Sequence, residues 1–211
     1  MACLRGHAPM GEPEDGFQMN FNPLESCEMM ATTCYSYVDS PLGRMFVQGD
    51  GEFVTGLFMP QHKGWSGPDS SWKESDGAFG GVRKQLAEYF AGERREFDVP
   101  LKLAGTPFQQ SIWQELVRIP FGETISYGEL ARRVGKPEAS RAVGNANGRN
   151  PISILVPCHR VIGSDGKLTG YAGGVDRKKW LLAWERRAKG TKPGSLLDIE
   201  ASLPVYEMPT I

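Results

Sequence analysis

The sequence predicts two domains, an α/β unit built on a small antiparallel sheet and, after it, a mostly α-helical unit with a helix-turn-helix. Three observations carry this. β-Branched and aromatic runs crowd into residues 32–59, whereas apolar residues at helical spacing dominate beyond residue 107. The charge also changes sign: residues 1–100 carry 8 Lys+Arg against 15 Asp+Glu, and residues 101–188 carry 14 against 7. A total near neutrality therefore hides a basic half, which keeps nucleic acid open as a partner. The expected boundaries are a flexible lead-in at 1–25, the α/β domain at 26–100, the helical domain at 101–188 and a peripheral tail at 189–211.

Each element has a local reason. The lead-in is rich in Gly, Pro and Glu and poor in apolar residues, so it cannot offset the entropy of ordering. TTCYSYVD, RMFVQG and EFVTGLFM read as three antiparallel strands, punctuated by SPLG at 40–43 and by GDG at 49–51, a hairpin signal. Residues 60–78 read as a polar, turn-rich loop. Val82, Leu86, Tyr89 and Phe90 mark one face of a helix ending near Gly92, and EFDVPLKL at 96–103 reads as extended. Pro107 suits a helix start, with Phe108, Ile112 and Leu116 as its apolar stripe. Ser126 and Glu129 have capping-box spacing and open a short helix over 127–134. Gly135 breaks it, and Pro137 starts another helix through about Asn147, which is the helix-turn-helix rhythm. Asp176 is placed to cap a last helix carrying Trp180, Leu181 and Trp184.

The composition, 40% hydrophobic and 23% charged, is that of a soluble globular protein. No apolar run approaches the roughly 18 residues of a membrane span, and the first residues lack the apolar stretch of a signal peptide. Cys3, Cys27, Cys34 and Cys158 are too few and too scattered for a disulfide scaffold, so a reducing compartment is expected.

The stretch with chemistry in it is NGRNPISILVPCHRVIGSDGKLTGYA, residues 147–172. An apolar run ends at Pro157, and Cys158, His159 and Arg160 follow at once. A thiol attacks only as thiolate, a form favoured by cationic neighbours and a base. Adjacent side chains seldom share a well-aligned hydrogen bond, so the base would act through a water held by a third group. Against this stands the plainer possibility of a buried Cys used as a small hydrophobe, with His159 as a core-edge residue.

PCHRVIGSDGKLTGYAGG, preceded by GETISYGELARRVGKPEASRAVG and ANGRNPISILV, resembles the O6-alkylguanine-DNA alkyltransferases (methylated-DNA–protein-cysteine methyltransferases). The likeness runs from about Thr106 to Glu185, with a weaker echo in TTCYSYVDSPLG. It implies an RNase H-like N-terminal domain and irreversible, single-turnover transfer of an alkyl group from guanine O6 in duplex DNA to Cys158, with O4-alkylthymine as a second candidate substrate. His159 is implied as the water-mediated base and Glu185 as the carboxylate orienting it. Tyr127 is implied as the group that hydrogen-bonds the leaving base and crowds the phosphate backbone, Asn150 as the tie between recognition helix and active-site segment. Arg141 is implied to fill the stack left by the flipped nucleotide, with Ala139, Ser140, Gly144 and Asn145 also against DNA, in the minor groove. Tyr171, Val161, Ala172 and Gly173 are implied as substrate pocket. Base flipping agrees with the chemistry, because O6 lies inside a stacked pair, and small Ala139, Ala142, Gly144 and Ala146 let a helix lie close to a groove. Taken singly, Tyr127 also suits a packing role, Arg141 a solvated one and Glu185 an exposed helix face.

Some members of this family carry an N-terminal zinc held by two Cys and two His. Here Cys3, Cys27, Cys34 and His62 do not assemble into that spacing, so neither metal nor cofactor is expected. Non-repairing relatives carry Trp where this chain has Cys158. The competing readings are a non-catalytic lesion-binding or transcription-regulatory helix-turn-helix protein and a Cys hydrolase, for which no oxyanion hole is evident. The protein is expected to act as a monomer, without membrane attachment, in the cytoplasm of a bacterium in association with the nucleoid, or in the nucleus of a eukaryote.

Overall fold

A computed structural model describes residues 32–190 of the chain. Cys3, Cys27, the lead-in and nearly all of the expected tail lie outside the described residues. The order is β1 (Cys34–Val38), β2 (Met45–Gly49), β3 (Val54–Phe58), β4 (Lys73–Glu74), α1 (Gly80–Phe90), α2 (Pro107–Val117), β5 (Ile125–Ser126), α3 (Tyr127–Arg133), α4 (Ser140–Gly148), β6 (Val161–Ile162) and α5 (Val175–Gly190). A small sheet unit precedes a helical one, as the sequence predicts.

The sheet order is β3-β2-β1-β4. β1, β2 and β3 pair antiparallel, with Tyr37 opposite Phe46 and Val47 opposite Leu57. The two predicted turns are where the sequence puts them: Gly43 donates to Ser40 O at 2.9 Å, and Asp50 accepts from the backbone N–H groups of Glu52 and Phe53. The sheet is mixed rather than purely antiparallel, because Lys73–Glu74, inside the expected loop, pairs parallel with β1. The alternation of β1 and β2 puts Val38, Met45 and Val47 in the core and Tyr35, Tyr37 and Phe46 on the outer face. Trp65 and Trp72 from the 60–72 loop cover that face, with their rings 4.5 and 6.4 Å from Phe46.

β3 is hydrogen-bonded on its far side too. Val54 N donates to Pro100 O and Lys102 N to Val54 O, at 2.9 and 3.0 Å. Leu57 N donates to Pro151 O and Ser153 N to Leu57 O, at 2.9 and 2.8 Å. The extended 96–103 segment and the residues leading to Cys158 thus finish the edge of the sheet.

In the helical unit, Thr106 and Gln109 form a full capping box that starts α2 beside Pro107. Ser126 Oγ accepts from Glu129 N and starts α3, while the Glu129 carboxylate pairs with Arg133 at 3.0 Å. The helix predicted from Pro137 begins as a 3-10 turn over Pro137–Ala139 and becomes α4 only at Ser140. Asp176 does not cap α5; the helix already begins at Val175, and Asp176 lies in its first turn, where a negative charge offsets the helix dipole. One core cluster runs through both units, from Met45, Leu57 and Leu86 to Ile112, Leu130, Val156 and Leu181.

Candidate active site

Cys158 follows a segment that is not a strand. Ile152 makes one bridge to Leu57, and the next residues turn, with Ile154 at φ 67°. A β-branched residue there costs about 1–3 kcal/mol and is held by its surroundings, in this case complete burial of 152–160. The turn carries Cys158–Arg160 into a short 3-10 helix. The β5–β6 pairing then sets Ser126, and with it the start of α3 at Tyr127, beside Ile162. The sequence shows neither two-residue strand, because pairs that short carry no periodicity.

The thiol is 5% exposed. Asn150 Nδ2 donates to Cys158 Sγ at 3.1 Å and to Val156 O at 2.8 Å, and Asn150 Oδ1 accepts from Ile152 N. Asn147, on α4, donates to Cys158 O at 3.3 Å. Burial pushes the thiol pKa up, against the Asn150 bond and the positive charge of Lys178, so the resting group is a thiol.

His159 and Glu185 are fully buried. His159 Nε2 donates to Glu185 Oε1 at 2.9 Å. That bond fixes the tautomer and leaves Nδ1, which has no protein partner among the described residues, as the proton acceptor. Burial lowers the His159 pKa more than the Glu185 charge raises it, so the ring is a neutral base at rest. Glu185 also accepts from Arg160 Nε and Nη2, both at 2.9 Å, from Gly122 N at 3.0 Å and from Tyr89 Oη at 2.8 Å. Burial alone would raise its pKa, but His159 and Arg160 outweigh burial and hold the carboxyl well below the usual range.

A groove of about 1030 Å³ opens beside this array. Tyr127, Ser140, Arg141, Gly144, Asn145, Tyr171 and Ala172 line it, joined by Lys63 and Arg149. A thiolate at Cys158 would raise the pKa of both Tyr127 and Tyr171, which places the sulfur within the electrostatic reach of two groove walls. Arg141 is exposed on α4. Ala139 is outside the groove lining, in the preceding 3-10 turn. Val161 and Gly173 are buried and do not line it; Val161 O accepts from Lys178 Nζ at 2.6 Å and Gly173 O from Arg177 Nη1 at 2.7 Å.

Four positions at or beside the candidate site escape sequence reasoning. Lys178 is fully buried, donates also to Thr169 O at 3.2 Å and stands 5.7 Å from the Tyr127 ring centre. Desolvation lowers its pKa to about 8. Lys178 stands in the basic run RKK at 177–179, where nothing local announces a buried ammonium. Arg160 is visible in the motif, but not its carboxylate partner. Tyr89 reads only as core, and Lys63 lies in a loop without pattern. Among the described residues, no group of three or more His, Cys, Asp and Glu could hold a metal ion.

Residues 33–103 match the ribonuclease-like domain of 6-O-methylguanine DNA methyltransferase, and residues 107–187 match its DNA-binding domain. The chain belongs to this family. It is 53% identical over 152 residues to the methylated-DNA–protein-cysteine methyltransferase of Mycobacterium tuberculosis, covering 72% of this chain and 92% of that one. The Methanosarcina acetivorans protein of the same name is 52% identical, covering 72% and 97%. Among solved structures, Mycobacterium tuberculosis OGT in complex with DNA superposes with a TM-score of 0.69 at 52% identity, covering 74% of this chain and 94% of that one. The family resemblance read from the PCHRV region therefore holds over both units.

Proposed function

We propose that this methyltransferase repairs DNA by moving the alkyl group of O6-alkylguanine onto its own Cys158. Methyl transfer from methylated DNA to a protein cysteine is the activity named for the relatives it matches over most of their length. The observation that carries the assignment to Cys158 is the buried line Cys158, His159, Glu185 beside a groove lined by Lys63, Arg141 and Arg149.

The proton moves from Sγ through one water to His159 Nδ1, while Glu185 and its donors stabilise the imidazolium. The S–C bond forms as the C–O6 bond breaks, and the electron pair leaves with the guanine. Tyr127 gives the departing base a hydrogen bond, and the proton taken from the thiol ends on guanine N1. Asn150 holds the sulfur on line. Arg141 fills the stack as α4 enters the minor groove of a duplex, where Ala142 and Gly144 allow close approach. Tyr171 and Ala172 wall the flipped base, and Ser140 and Asn145 contact the backbone. One monomer acts on one lesion. The thioether has no hydrolytic exit, so each chain reacts once.

Incubation with a duplex bearing labelled methyl on guanine O6 tests this. One label per chain, on the peptide containing Cys158, is the expected result. Repeated turnover, or label on another cysteine, overturns it; binding without transfer would favour the lesion-sensor alternative.

A further inference from the structure

Tyr89 belongs to α1, in the sheet unit, yet its hydroxyl donates to Glu185 Oε1 at 2.8 Å across 96 residues of sequence. That oxygen is the one that takes the His159 Nε2–H at 2.9 Å. The ring is fully buried and packs against Phe90, Phe97 and Phe121, with centroids 5.1, 5.4 and 5.8 Å away. A phenylalanine would make those contacts equally well. Packing therefore accounts for the ring and not for the hydroxyl, and the hydroxyl's partner is the carboxylate paired with the proposed base.

We propose that Tyr89 is a positioning residue for alkyl transfer, which sets, through Glu185, how tightly His159 holds a proton. This rests on the reading of His159 as the base. Each donor on Oε1 draws negative charge from the others, so the Tyr89 hydroxyl weakens the pull of Glu185 on the imidazolium. The charged groups that act on His159 are Glu185 and Lys178 of α5 and its chain neighbour Arg160, with the Cys158 thiol on its other side in sequence. Glu185 is the one anion among them, and modulation of its charge reaches the base directly. Burial first, then the Glu185 charge, holds the Tyr89 phenol far above its ordinary pKa, so it remains a donor throughout the working pH range.

The test uses the full chain with Tyr89→Phe and, separately, with 3-fluorotyrosine at position 89, whose hydroxyl is the stronger donor. The readouts are His159 ring titration by NMR, assigned with His159→Gln, the pH dependence of single-turnover methyl transfer, and thermal stability. Tyr89→Phe should raise the His159 titration midpoint and move the acid limb of the rate to higher pH by about one unit, a loss of about tenfold below the limb. Fluorotyrosine should move both the other way. An unmoved midpoint and limb, with or without a lower melting temperature, would reduce Tyr89 to packing. Should Tyr89→Phe not fold, an unmoved limb in the fluorotyrosine protein overturns the proposal equally. If His159→Gln leaves the rate profile unchanged while Tyr89→Phe still shifts the His159 midpoint, the base reading fails and the catalytic role of Tyr89 fails with it.

Discussion

Glu185→Gln is the substitution whose cost can be worked from the structure. Five donor groups converge on the carboxylate: Tyr89 Oη, His159 Nε2, Arg160 Nε and Nη2, and Gly122 N. An amide keeps one oxygen and turns its other end into a donor. If its nitrogen takes the Oε2 place, it meets Arg160 Nε and Gly122 N, donor against donor; if it takes the other, it meets Tyr89, His159 and Arg160 Nη2. Either way a guanidinium that is 5% exposed loses its counter-charge. Breaking a buried pair from one side costs about 3–5 kcal/mol. At roughly 2–4 °C per kcal/mol for a chain of this length, the melting temperature should fall by about 10 °C. Methyl transfer, followed as a single turnover on a labelled duplex at 20 °C where the variant remains folded, should slow by about 10²-fold or more, because the imidazolium loses its anion. His159→Gln should slow it similarly, and the double variant should be little worse than the slower single one. Additive losses, or a Glu185→Gln protein as stable and as fast as the parent, would refute the unit of Glu185 and His159.

Cys158→Ser should abolish transfer while leaving duplex affinity, measured by fluorescence anisotropy, within about twofold, since a serine hydroxyl is a far weaker nucleophile at neutral pH. Arg141→Ala should slow repair in a duplex far more than on a single-stranded oligonucleotide; equal losses would argue against stack filling. Stability should decline on acidification through the histidine range. The folded His159 pKa lies below its ordinary value, so the unfolded chain takes up a proton below about pH 6.5 while the folded chain resists. The contribution is complete above that pH and is lost as pH falls toward the folded value. Urea midpoints at pH 7.5, 6.5 and 5.5 should show the decline, and His159→Gln should flatten part of it; His62, pushed the same way by burial, supplies the rest.

The strands and helices with enough length to carry a period are readable in the sequence, and so is the PCHRV core of the site. Val82, Leu86 and Tyr89 announce α1, and SPLG and GDG announce their turns, because each signal is local. Two-residue ladders such as β5–β6 have no period and exist only through their neighbours. Ile152–Val156 looks like a strand because burial alone makes it apolar, yet Ile154 turns the chain into the left-handed region. Glu185 could be named by resemblance, but its burial under Tyr89 and Gly122 comes from chain segments 96 and 63 residues away. Long-range electrostatics leaves no mark on the sequence near the residue it governs.

Exposed strand edges are templates for pairing with other chains. In this protein the far edge of β3 is occupied by backbone from Pro100–Lys102 and from Pro151–Ser153, just ahead of Cys158. Only the second segment comes from the helical unit, so it is at Leu57 that the two units shield one another. Cutting the chain between them would leave β3 with free N–H and C=O groups on one fragment, and an uncovered Ile152–Val156 on the other. Each half would tend to self-associate through the surface it normally gives to its partner, and solubility of either alone would depend on masking that surface.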